Sequence, residues 1–137
     1  MSNKSQQTLI HSINNNTKTR LKPSTVCDGV GVFALIDIRE GDNIFPDITS
    51  DSNLIEWGHI DNNVIKNYLS SLCNTDERGI YLSRLPNEIN ISYYVNHSDT
   101  PNVFSNLNTD QYFAIRDIQS GEEILCEYTK QEKIDFI

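Results

Sequence analysis

The chain has 137 residues, of which 37% are hydrophobic and 22% charged, with a formal net charge of −8. That length suits a single domain with one real core, and the composition excludes a disordered chain. No apolar run approaches a membrane span, the polar start Met1-Ser2-Asn3-Lys4-Ser5-Gln6-Gln7 lacks the apolar stretch of a secretory signal, and the acidity argues against a phosphate-neutralising surface for nucleic acid. The expectation is an intracellular protein, cytoplasmic or nuclear, without direct nucleic-acid or membrane binding. Its acidity suits a basic protein partner or serves solubility alone. Cys27, Cys73 and Cys126 are odd in number and widely spaced, which suggests reduced thiols rather than a disulfide framework or a zinc site.

In chain order, residues 1–21 are rich in Asn, Ser, Thr and Gln, and are expected to be irregular or to add one edge strand over residues 8–13. A Gly-x-Gly turn then leads into an apolar strand from Val30 to Ile38. Glu40-Gly41-Asp42 makes a turn, and Asn43 to Ile48 resumes a short strand broken by Pro46. Residues 49–60 read as a loop. Asp61 then caps the one expected helix, running to Asn74 with Val64, Ile65, Tyr68, Leu69 and Leu72 on one face. Residues 80–82 and 89–91 are short strands, two more flank a turn between Val103 and Ile118, and a last one covers Glu123 to Tyr128 after the Ser120-Gly121 turn. No internal repeat is evident. The pattern predicts a β-rich α+β domain and no more than that.

Taken singly, the polar motifs say little. Gly29-Val30-Gly31 lacks the third glycine and the following helix of a dinucleotide-binding loop, and glycine pairs most often serve tight turns. Asn96-His97-Ser98 alone reads as an Asx or Ser turn capped by Pro101, with His97 hydrogen-bonded in the core.

Taken together, Gly29-Val30-Gly31-Val32-Phe33-Ala34, Tyr93-Tyr94-Val95-Asn96-His97-Ser98-Asp99-Thr100-Pro101-Asn102 and Gly121-Glu122-Glu123-Ile124-Leu125-Cys126-Glu127-Tyr128 resemble the SET domain family in kind and order. With no cysteine-rich flanks, the chain is most similar to the minimal standalone members of viruses and bacteria. The resemblance covers residues 22–129, leaves a short tail at 130–137, and implies a SET-domain fold of short curved sheets with one insert helix. It also implies a C-terminal pseudoknot, in which the last segment passes beneath the Asn96–His97 loop. The implied activity is methyl transfer from S-adenosylmethionine to a protein lysine.

The resemblance also implies roles for individual residues. Gly29, Val30 and Gly31 present backbone to the cofactor, Asn96 bonds its amino-acid end, His97 offers backbone groups to the adenine edge, and Asn102 shapes the loop. Tyr128 is the implied catalytic residue and also touches the cofactor. Direct displacement mainly requires alignment and exclusion of water, so a neutral phenol suits positioning rather than proton abstraction. Tyr94, Cys126 and Tyr68 are the substrate-side candidates, with Trp57 beside Tyr68 in the insert and Tyr81, Tyr93, Tyr112 and Phe113 as further aromatic walls. Cys126 stands where an aromatic residue is common, which implies room for higher methylation states.

The substrate expected is an exposed lysine in a basic segment, histone-like, DNA-packaging or ribosomal, and a homodimer is open. Phe45-Pro46-Asp47-Ile48 replaces the Glu-Tyr-x-Gly of many members. The competing readings are a catalytically inactive SET-fold binding module and a cysteine hydrolase built on Cys126 and His97.

Overall fold

The computed structural model of the protein describes residues 3–48, 53–106 and 111–127. Its main core is organised around two stretches with the same pattern, contrary to the expectation that no repeat is present. Phe33-Ala34 recurs as Phe113-Ala114, Asp37-Ile38 as Asp117-Ile118, Gly41 as Gly121 and Ile44 as Ile124, all at one constant offset.

The two copies bond to each other reciprocally. Ile38 N donates to Ile118 O and Ile118 N to Ile38 O, each at 2.7 Å. Gly41 N donates to Ala114 O and Gly121 N to Ala34 O, each at 2.8 Å. Glu40 N reaches the Asp117 carboxylate and Ser120 N the Asp37 carboxylate, both at 2.9 Å. Each turn needs a residue in the left-handed region, and glycine supplies it at φ 87° for Gly41 and 93° for Gly121. The paired Ala34 and Ala114, Ile38 and Ile118, and Ile44 and Ile124 all point into one buried cluster. Burial of these matched side chains drives the two halves together.

Around this hinge lie three small sheets. Strand β1 (Thr19–Pro23) pairs antiparallel with β2 (Val30–Ala34). Strand β2 pairs with β9 (Glu123–Cys126) in the register Phe33 to Glu123. The other half mirrors that register with a single bridge, Phe113 to Asn43. Proline has no N–H to extend the ladder, so Pro46 keeps the expected strand at 43–48 to that one bridge. Strand β6 (Asn96–His97) completes the first sheet by pairing parallel with β9, giving the order β1-β2-β9-β6. Strands β7 (Val103–Asn106) and β8 (Gln111–Ala114) form a separate hairpin.

A second, smaller core lies in the insert. Strands β3 (Asn53–Glu56), β5 (Gly79–Leu82) and β4 (Asn74–Thr75) form a sheet in that order. Helix α2 (Asn63–Leu72) joins them around Leu69, Cys73, Ile80 and Leu82. Part of the stretch expected to be a loop is thus strand β3, extended against Ile80 and Tyr81. The α2 cap is Asn62, one residue past the expected Asp61, because the Asn62 carboxamide accepts from Val64 N and Ile65 N. Only Leu69 of the expected apolar face is fully buried, while Val64 is 70%, Ile65 51% and Tyr68 55% exposed. So small a sheet covers only a narrow stripe of the helix.

Other expectations need correction. Residues 3–16, expected to be irregular or an edge strand, form helix α1 (Asn3–Asn16) with no buried residue. Side-chain bonds within the helix, Thr8 Oγ1 to Lys4 O and Asn15 Nδ2 to His11 O, support it, and Ser12 and Asn16 tie it to Asp47. Strand β1 straddles the expected boundary at residue 22. The apolar run from Val30 leaves the strand after Ala34, since the hinge turn must begin there. Residues 89–91 are not a strand, because Asn90 caps a 3-10 turn at Ile91–Tyr94 by accepting from Ser92 N. The β9 strand ends at Cys126; Tyr128 and the tail at 130–137 lie outside the described residues. No described helix is long and apolar enough to cross a membrane.

The crossing is closed by Asn102, a side chain only 3% exposed. Its Nδ2 donates to Glu123 O at 2.7 Å and its Oδ1 accepts from Leu125 N at 2.8 Å, so the carboxamide occupies a strand position beside β9. Its own N donates to Leu125 O at 3.0 Å. Truncation strands two backbone groups in the core. Asn102→Ala is expected to cost about 3 kcal/mol of stability, read from the shift in urea midpoint at unchanged slope.

Candidate active site

The parallel pairing of β6 with β9 places Asn96 beside Leu125, and β2 lies on the other side of β9. Distant motifs therefore converge at one end of the first sheet. Asn96 Nδ2 lies 2.9 Å from Val30 O, so the Asn-His loop bonds the Gly-x-Gly backbone directly. The same nitrogen lies 3.1 Å from Ser24 Oγ and 3.2 Å from Glu123 Oε2.

Glu123 is the residue that sequence reasoning missed. It is 7% exposed, and four donors converge on its carboxylate. Ser24 Oγ donates to Oε2 at 2.8 Å, while Thr25 N and Thr25 Oγ1 both donate to Oε1 at 2.7 Å. Asn96 supplies the fourth. Burial pushes the Glu123 carboxyl up, but the hydrogen bonds from Thr25, Ser24 and Asn96 outweigh it and hold the group below its ordinary value. The available signal was a carboxylate opening an otherwise apolar strand, since such a group demands partners if buried.

Gly31 is explained by the same carboxylate. A Cβ at Gly31 would lie 2.3 Å from Glu123 Oε2 and 3.2 Å from Asn96 Nδ2. The glycine thus makes room for protein side chains beneath it. Gly29 differs, since a Cβ there meets nothing nearer than Cys27 Sγ at 3.8 Å. Gly29 O accepts from Ser24 N at 2.8 Å and closes the turn that carries Ser24 and Thr25.

The remaining expected site residues scatter. His97 is exposed, with Nε2 3.2 Å from Asp99 Oδ1. Tyr94 is half-buried against the main core. Tyr68 stands outward on α2, in the insert with its own core. Cys126 packs inside the main core at 2% exposure, and burial pushes its thiol up to about 12. That overturns the hydrolase reading, which needs an accessible thiolate. Cys27, Cys73 and Cys126 are all free thiols.

Several aromatic residues expected as walls are otherwise engaged. Trp57 packs on the second core and donates to Asp76 O. Tyr81 donates to Asp76, which holds that carboxyl down at about 2. Tyr112 makes an edge contact with Phe45, and Tyr93 packs on the second core. Tyr128 lies outside the described residues, directly after Glu127. A cavity of 240 Å³ lies apart from Asn96 and Glu123, lined in part by Lys18, Phe45, Pro46, Asp47, Asn90 and Ile91.

This convergence of a Gly-x-Gly strand, an Asn-His loop and a last strand crossing between them is matched by comparison with known proteins. The SET domain profile covers residues 29–129, and the chain belongs to that family. Its fold is shared by a Plasmodium falciparum protein assigned as a histone methyltransferase. The two are 22% identical with a TM-score of 0.53, over 81% of this chain and 92% of that one. It is also shared by a humanized mutant of the Chaetomium thermophilum Polycomb Repressive Complex 2 bound to the inhibitor GSK126. There the identity is 24% and the TM-score 0.60, over 91% of this chain but 17% of that one. A search of curated protein sequences returned no match.

Two outcomes are expected. Gly31→Ala displaces the carboxylate and is expected to cost about 2 kcal/mol, whereas Gly29→Ala stays near wild type in thermal unfolding. Because the folded-state pKa of Glu123 is below its ordinary value of 4.5, its contribution is full above that pH and is lost as pH falls through the folded value. Wild-type stability should therefore decline more steeply than that of Glu123→Gln below about pH 4.5, as measured by urea unfolding across pH.

Proposed function

We propose that the protein is an S-adenosylmethionine-dependent protein-lysine N-methyltransferase acting on a lysine in a basic protein segment. The observation that carries this is the Asn96 to Val30 bond, which joins the two family motifs for the cofactor at one end of the sheet. The residues present suit that molecule. Asn96 Oδ1 has no hydrogen-bond partner among the described residues and is an acceptor for an ammonium group. Glu123 adds a negative charge on the Nδ2 side of the same carboxamide.

When bound, S-adenosylmethionine supplies a sulfonium methyl group for in-line displacement by a neutral lysine nitrogen. The chain's own part is binding and alignment. Gly29, Val30 and Gly31 present backbone, and Asn96 and His97 hold the other flank. Tyr128, following β9, positions the nitrogen with a phenol that is neutral near pH 7, about three pH units below its ordinary pKa. The lysine loses its proton to solvent before attack, which an apolar surround favours by destabilising the charged form. The net charge of −8 favours encounter with a Lys- or Arg-rich segment.

Calorimetric titration with S-adenosylmethionine tests the pocket, and Asn96→Ala is expected to weaken binding at least tenfold. With a lysine-rich protein as acceptor and a labelled methyl donor, Tyr128→Phe is expected to lower turnover by about a hundredfold. Binding without transfer to any basic acceptor favours the inactive binding module.

A further inference from the structure

We infer that Glu123 is the positioning residue of this pocket: its carboxylate fixes the Asn96 carboxamide so that the amide oxygen faces the α-ammonium group of S-adenosylmethionine. The inference rests on the methyl-donor reading above. The orientation follows from chemistry at two contacts. Val30 O can only accept, so the Asn96 atom 2.9 Å away must be nitrogen. Glu123 Oε2, a carboxylate oxygen held ionised, repeats that demand at 3.2 Å. An inverted carboxamide would set its oxygen against both. With nitrogen committed to this side, Oδ1 faces away from Val30 and Glu123 and lacks a partner among the described residues.

A second observation separates this role from mere folding. The matching position in the other half of the repeat is Asn43, which bonds locally to Phe45 N at 3.0 Å. The same turn and the same register thus form without a carboxylate. Glu123 instead gathers Ser24, Thr25 and Asn96 from two other parts of the chain, beneath a glycine whose missing Cβ leaves the space.

The isosteric variant Glu123→Gln exposes the role. An uncharged amide has one accepting end, while donors approach both ends of this carboxylate. Whichever way the new side chain turns, an N–H meets an N–H, and toward Asn96 that pressure favours inversion of its carboxamide. The probes are S-adenosylmethionine and 5′-methylthioadenosine, which keeps the adenosine and the thioether but has no amino-acid end. The expected result is a loss of about tenfold or more in affinity for S-adenosylmethionine with unchanged affinity for methylthioadenosine, both read by calorimetry. Equal loss for both ligands, or loss for neither, overturns the inference.

If Glu123→Gln does not fold, Ser24→Ala decides. That variant keeps the carboxylate but removes one contact to it and one to Asn96, and should lower the preference for S-adenosylmethionine about threefold. An unchanged preference overturns the inference. A folded wild-type protein that binds neither probe overturns the methyl-donor reading itself, and the inference with it.

Discussion

The two backbone bonds exchanged by Ile38 and Ile118 fix the geometry on which the other elements depend. They sit at the centre of a local two-fold relation, with matching glycine turns, matching aspartate contacts and matching apolar residues on either side. Both isoleucines are almost completely buried, so the bonds form away from water, where an unmade partner is costly. Once this hinge is set, β9 is aimed along β2 and the stretch after Gly41 along β8. The insert and the N-terminal helix attach to a frame already defined.

The two halves have diverged where chemistry is concerned. On one side the strand continues from Glu123 to Cys126 between two neighbours. On the other, Pro46 stops it after a single bridge. The longer side receives the Asn96–His97 strand in parallel, and the side chain of Asn102 acts as a further rung. A polar network then forms around Glu123, joining Ser24, Thr25 and Asn96. It is fully paired at Glu123, the condition under which a buried carboxylate is tolerated. Gly31 is the steric counterpart of that network, so the glycine and the carboxylate belong to one arrangement.

Much of this could be read in the chain. The turns at Gly41 and Gly121, a strand at 80–82, two strands between Val103 and Ile118 and the final strand follow from alternation and turn chemistry, which are local properties. The three motifs that resemble the SET family lay in the right order, and the parallel pairing of Asn96 with Leu125 agrees with the expected crossing. What was hidden depends on contacts distant in sequence. The role of Gly31 is set by Glu123, and the loss of the strand at 43–48 by one proline. Helix α1 could not be read from apolar periodicity because it buries nothing. The repeat was legible, had residues 33–44 been aligned with 113–124. The outward face of α2 was misjudged because an apolar stripe tells which residues can be buried, not how wide a surface is present to bury them.

The central position of β9 also has a bearing on how the chain is made. Strand β2 is complete at Ala34, but its neighbour on the inner side begins only at Glu123. At ribosomal rates the interval is roughly 5 to 20 seconds. Throughout it, the hairpin of β1 and β2 presents an open edge carrying Val32 and Ala34, a template that any exposed strand can join. A finished β9 from a neighbouring chain fits that edge as well as its own does. Until its own β9 is made, closure of the crossing therefore competes with strand exchange at that edge.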